Sequence, residues 1–182
     1  CFWLSLVAAW SRLPPIRYED AELSALQDKV TDLGEWRPQD FAVENRRGGE
    51  DDFGQAAKQL RVLVTGSDGY LRGETQMRTF GIAFAALQAA APGSPSATTE
   101  MYHRWLDKVS VNEFADELIL AATAEYLKLC IVVVPYTPPD AESQWAISEH
   151  PYKDARQAQN IDETRMIVLG NNDVHYVWLC DK

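Results

Sequence analysis

The hydrophobic pattern changes period near residue 130, and that change constrains the fold more than any other feature of the sequence. Before it, apolar residues recur every three or four positions, the spacing of one helix face. Phe2, Leu6 and Trp10 give such a stripe over residues 1–10, and Pro14-Pro15 ends it. Residues 18–33 give a second through Leu23, Leu26, Val30 and Leu33. Glu19, Asp20 and Glu22 crowd its first turn, where the helix dipole favours anions. Residues 55–65 begin a third helix that Gly66 to Gly69 break. Residues 76–91 form a fourth, with Met77, Phe80, Phe84, Leu87 and Ala91 on one side. Ser110 and Glu113 have the spacing of a capping box. The helix it predicts carries Ala115, Leu118, Ile119, Ala122, Tyr126 and Leu129. The segments NRRGGEDDFG at 45–54 and PGSPSATT at 92–99 have the composition of exposed loops.

From Cys130 the chain reads as strand. CIVVVPY at 130–136 is a continuous β-branched run, as expected of a strand buried on both faces. TPPDAES is a turn, and QWAIS at 144–148 is a short strand. RMIVLG at 165–170 and VHYVWLC at 174–180 are two more, joined by a hairpin turn at Asn171-Asn172-Asp173. Helices first and strands last predict an α+β fold, with a helical N-terminal two-thirds packed on a small, mainly C-terminal sheet. At 182 residues, the sequence is expected to form a single domain over 1–182.

Charge removes several function classes. The chain has 17 basic and 27 acidic residues, a net charge of −10. That balance argues against nucleic acid as a partner, because phosphate must be neutralised by Lys and Arg. No apolar run approaches the ~20 residues of a membrane-spanning helix. The opening CFWLSLVAAW lacks the basic residues that lead a secretory signal. The three cysteines, Cys1, Cys130 and Cys180, have no repeated spacing, so neither a disulfide framework nor a zinc module is expected. Cys130 and Cys180 flank apolar runs, where a free thiol behaves as a small hydrophobe. A reducing, cytoplasmic setting fits, and no metal or cofactor is called for.

One pair of residues carries chemistry. Cys1 stands at the head of an apolar helix, where unpaired backbone N–H groups and the dipole favour thiolate. His175 follows the NND turn, and an imidazole near the thiol can accept its proton. The same helix start offers N–H groups to a developing oxyanion. His103 and His150 stand in polar, loop-like surroundings and read as surface residues.

Four segments, in order, resemble the ovarian-tumour (OTU) family of cysteine proteases. Cys1-Phe2-Trp3-Leu4-Ser5-Leu6 is similar to the family's nucleophile helix, usually Cys-Leu-Phe-Arg-Ala-Leu. Gln59-Leu60-Arg61-Val62 resembles the Leu-Arg that opens a later helix. Phe114-Ala115-Asp116-Glu117-Leu118, followed by Ile131-Val132-Val133, is similar to the Glu-Leu helix and the strand after it. Val174-His175-Tyr176-Val177-Trp178-Leu179 resembles the His-Tyr-x-x-Leu strand that carries the general base. The resemblance implies a papain-like fold and a thiol protease that removes ubiquitin or a ubiquitin-like protein. Cys1 would be nucleophile and His175 general base. The residue that orients the histidine stays open. Val177 stands where the family often has Asp or Asn, which leaves Asp173 or a residue upstream of Cys1. The implied tail channel would use acidic residues, with Trp105 and Trp178 as aromatic candidates. Divergence from the common members allows a pathogen effector acting in host cytoplasm.

Two other readings compete. A chain-starting Cys could serve an N-terminal-nucleophile amidohydrolase, which predicts Cys1 on a strand. An OTU-shaped ubiquitin-binding module without a working triad is the non-catalytic alternative.

Overall fold

The computed structural model describes residues 2–34, 46–90, 98–111, 115–135, 147–150, 165–171 and 176–178. The helices are α1 (Phe2–Trp10), α2 (Ala21–Gly34), α3 (Arg46–Thr65), α4 (Glu74–Ala90), α5 (Thr99–Val111) and α6 (Glu117–Tyr126). A 3-10 turn at Tyr70–Arg72 joins α3 to α4. Strands β1 (Cys130–Pro135), β2 (Ser148–His150), β3 (Met166–Asn171) and β4 (Tyr176–Trp178) follow. The fold is α+β, helices first and sheet last.

The sheet runs β2-β1-β3-β4. Its two central strands are parallel, with Ile131 opposite Ile167 and Val133 opposite Leu169. The edge strands are antiparallel to their neighbours. In β1, Cys130, Ile131 and Val133 are buried and the other three residues half-buried, so the strand is less enclosed than its β-branched run predicts. Between β3 and β4, Asn171 pairs with Tyr176, so residues 172–175 make the connection. The predicted turn residues Asn172 and Asp173 lie outside the described residues.

Helix α1 buries Phe2, Trp3, Leu6, Val7, Ala9 and Trp10. A helix this apolar around its circumference has neighbours on several sides, and α1 packs against α2, α3, β3 and β4. Helix α2 starts at Ala21 rather than residue 18, because Asp20 is its cap: Asp20 Oδ1 accepts from the Glu22 and Leu23 backbone N–H groups at 2.9 and 3.1 Å. Upstream of that cap, Tyr18 is buried and donates its hydroxyl to the Leu127 carbonyl at 2.9 Å. The buried Gln27 amide satisfies both backbone groups of Ile16, with its oxygen 2.7 Å from the N–H nitrogen and its nitrogen 3.1 Å from the carbonyl. The segment between α1 and α2 is thereby pinned from both sides.

Several expectations are corrected. Residues 46–54 belong to α3 and not to a loop. Ala56, Ala57, Leu60 and Val64 anchor this helix in the core, and extending an anchored helix costs far less than starting one. Helix α3 does end where the glycines predict. A Cβ on Gly69 would sit 2.7 Å from the Gly66 nitrogen and 2.9 Å from the Val62 carbonyl oxygen. In α4, Phe80 and Phe84 are buried as expected, whereas Leu87 is 51% exposed.

Residues 99–111 form a helix, α5, so His103 lies on a helix and not in loop-like surroundings. Thr98 Oγ1 caps it by accepting from the Met101 N–H at 3.2 Å. Tyr102, Leu106 and Val109 give its buried stripe. Ser110 therefore ends a helix and does not begin one: its hydroxyl donates back to the Asp107 carbonyl at 2.7 Å. The cap of α6 is Asp116, whose Oδ1 accepts from the Leu118 and Ile119 N–H groups at 3.0 Å each. Finally, β2 covers Ser148–His150, so His150 sits half-buried on a strand opposite Ile131 and not in a surface loop.

Candidate functional site

Cys1, His175 and Asp173 lie outside the described residues. Phe2, which follows Cys1, and Tyr176, which follows His175, are described, and these two converge. Phe2 and Tyr176 meet ring to ring, with centroids 5.3 Å apart and planes at 67°. One turn further along α1, the Ser5 hydroxyl donates to the Tyr176 carbonyl at 2.9 Å. On its other side, the Tyr176 hydroxyl donates to the Ala115 carbonyl at 3.2 Å, just ahead of α6. Tyr176 thus ties together the head of α1, the lead into α6 and the edge strand β4.

The lead into α6 is itself fixed. Trp105 on α5 donates its indole N–H to Asp116 Oδ2 at 3.1 Å. Its ring lies against Phe84 and Tyr102. Burial pushes the Asp116 carboxyl above the ordinary range, against the pull of hydrogen bonds from Ile119, Trp105 and Leu118. Burial also raises the Tyr176 phenol, with the charges of Asp116 and Glu117 adding to it. Trp105 is therefore a half-buried core ring that braces the α6 cap.

Of the two histidines set aside by the sequence reading, both are tied into the structure. His150 has its imidazole pushed down by burial, with Glu117 opposing. His150 Nε2 lies 3.3 Å from Ser148 Oγ. His103 is half-buried on α5, where Arg72 Nη1 lies 3.0 Å from its Nδ1. The same guanidinium pairs with Asp107 and donates from Nε to the Gly66 carbonyl at 2.9 Å. That imidazole is therefore spent on positioning Arg72.

Trp3 is 8% exposed, and its indole N–H has no hydrogen-bond partner among the described residues. A cavity of about 450 Å³ between α4 and α5 is lined by Met77, Phe84 and Tyr102 among others, and shares no residue with the Phe2–Ser5–Ala115–Tyr176 junction. Among the described residues no three His, Cys, Asp or Glu side chains cluster as metal ligands, and no helix is long and apolar enough to cross a membrane.

In the sequence, Tyr176 and Ala115 stand only as members of two separate motifs. Their contact brings those motifs together, and the His-Tyr pairing on the last strand was the signal for it. No protein-family model matches the chain, and no curated protein matches it.

Proposed function

We propose that the chain is an OTU-like cysteine protease, a deubiquitinase that hydrolyses the bond after the C-terminal glycine of ubiquitin or a ubiquitin-like modifier. One observation carries this reading: the residue following Cys1 packs on the residue following His175, with ring centroids 5.3 Å apart. A nucleophile at a helix head and a base on the last strand need such a junction beside them.

In this mechanism the Cys1 thiolate attacks the glycine carbonyl, and backbone N–H groups at the head of α1 stabilise the oxyanion. His175 holds the thiol proton and passes it to the leaving lysine amine. Water then attacks the thioester and releases the ubiquitin carboxylate. The chemistry is complete with side chains and water. The helix that begins at Phe2 favours this reading over an N-terminal-nucleophile hydrolase, which displays its first residue on a strand. The cytoplasm, or a host cytoplasm for an effector, is the proposed place of action.

A ubiquitin probe carrying a C-terminal electrophile tests the proposal. The expected result is a covalent adduct at Cys1, absent in Cys1→Ala and His175→Ala and retained in His103→Ala and His150→Ala. Binding without an adduct would identify a non-catalytic module. No interaction at all would overturn both ubiquitin readings. An adduct lost in His150→Ala but kept in His175→Ala would reassign the base.

A further inference from the structure

Helix α6 has two ends, and the candidate site adjoins only the first. Its ten residues, at ~1.5 Å each, put the other end ~15 Å away. There a cavity of about 250 Å³ opens between the start of α2, the 3-10 turn and the residues that close α6. Tyr70 and Tyr126 form one wall, with ring centroids 4.8 Å apart and planes tilted by 32°. The Tyr70 hydroxyl donates to Glu125 Oε1 at 2.8 Å, and the Tyr126 hydroxyl donates to Asp20 Oδ2 at 2.6 Å. Each phenol donates a hydrogen bond to a carboxylate, which fixes both rings.

The charges of this lining are predominantly negative. Glu19, Asp20 and Glu125 supply three negative charges and Lys128 one positive, a formal total of −2. Asp20 is pushed up by burial, but hydrogen bonds from Tyr126 and from the Leu23 and Glu22 N–H groups outweigh that and hold it below the usual carboxylate range. The C-terminal end of α6 adds the negative pole of its dipole. Aromatic faces attract cations by their quadrupole. A compact ammonium satisfies the charge but not the flat walls. A guanidinium satisfies both, because it is planar, stacks on aromatic rings and bonds carboxylates through a fork of N–H donors.

We propose that this cavity is a recognition pocket for an arginine side chain presented by a basic segment of a partner protein. The proposal stands apart from the protease reading, since its test measures binding alone. Amide resonances of the full chain are followed while N-acetyl-arginine methylamide is added, and separately while the neutral citrulline analogue is added. Saturable shifts confined to residues around 18–23, 70 and 125–128 are expected with arginine. The citrulline analogue should bind about tenfold more weakly or worse, the size expected for losing a charge-assisted hydrogen bond. The double substitution Glu19→Gln and Glu125→Gln should weaken the arginine probe by a similar factor while far-UV dichroism is unchanged. Equal responses to arginine and citrulline, shifts that map elsewhere, or no shift would each overturn the proposal. The citrulline comparison uses the unaltered protein, so it decides the matter even if the double variant fails to fold.

Discussion

Phe2 and Tyr176 lie ring to ring, 5.3 Å between centroids, so the first described residue of α1 packs on the first residue of β4. Tyr176 is further held through its carbonyl by Ser5 and through its hydroxyl by Ala115. Removing one of these ties at a time separates their contributions. Tyr176→Phe keeps the ring contact and loses one hydrogen bond, for a destabilisation of about 1 kcal/mol. Phe2→Ala empties a site that is 3% exposed and should cost about 3–5 kcal/mol. Turnover of a fluorogenic ubiquitin substrate, measured where both variants remain folded, should be near normal in Tyr176→Phe and clearly reduced in Phe2→Ala. Equal turnover in the two would mean that the ring contact does not position the site.

His150 supplies a pH dependence of known sign. Its imidazole is pushed below the ordinary 6.5 by burial, with Glu117 opposing. The unfolded chain therefore binds this proton more readily than the folded one. The contribution is intact above 6.5 and is lost as pH falls from there toward the depressed folded value. His150→Gln should flatten this part of the stability curve, read as melting temperature between about pH 8 and about pH 5. A wild-type curve that rises on acidification through this window would contradict the assignment.

Arg165 is 8% exposed and bonds to no carboxylate among the described residues. Its Nε donates to the Lys128 carbonyl at 3.1 Å, and Nη1 to the Pro14 carbonyl at 2.7 Å. Its Nη2 lies 3.0 Å from the Leu127 carbonyl oxygen and 3.1 Å from the Tyr18 hydroxyl. One side chain thus closes the end of α6, the segment before α2 and the start of β3 into a unit. Arg165→Met should cost about 2–4 kcal/mol, because the Lys128 and Pro14 carbonyls lose the guanidinium donor and the Leu127 carbonyl keeps only the Tyr18 hydroxyl. Arg165→Lys should recover less than half of that, since an ammonium lacks the fork. Urea denaturation measures both.

Lys128 takes φ 51°, in the left-handed region. It stands at the position that ends a helix by a paired motif: Leu129 N–H bonds the Ala124 carbonyl at 3.0 Å and Lys128 N–H the Glu125 carbonyl at 3.3 Å. Glycine is at ease there, whereas lysine is strained by about 1–2 kcal/mol. Lys128→Gly should therefore raise stability by about 0.5–1 kcal/mol after the greater freedom of glycine in the unfolded chain is subtracted. A lower melting temperature would show that the lysine side chain contributes more than the strain costs.

The order of elements was legible because period alone separates α1, α2 and α4 from β1 and β3. The α5 helix has Tyr102, Leu106 and Val109 correctly spaced, but polar residues such as His103 between them mask the stripe. What decides it is Phe84, which supplies the ring contact that Tyr102 and Trp105 pack on. Ser110 and Glu113 matched a cap by spacing, but Trp105 pins Asp116 three residues past the box, and the real cap is there. The beginning of α3 is decided by anchoring further along the helix, a tertiary effect that local composition does not carry. Of the candidate site, the sequence supplied the two reactive residue types and the motif around each. The junction that links those motifs depends on Tyr176 reaching both α1 and Ala115, a long-range contact with no local signature.

The union of α1 with β3 and β4 has a consequence for the chain during its synthesis. Helix α1 leaves the ribosome well before β4, yet part of the surface that covers Phe2 is made with residue 176. Until then α1 can rest on α2 and α3, but the side turned toward the sheet stays open. Contacts this distant in sequence form late and slowly. An emerging chain therefore carries uncovered aromatic surface from the synthesis of α1 until that of β4, the state in which chaperones bind and in which aggregation begins.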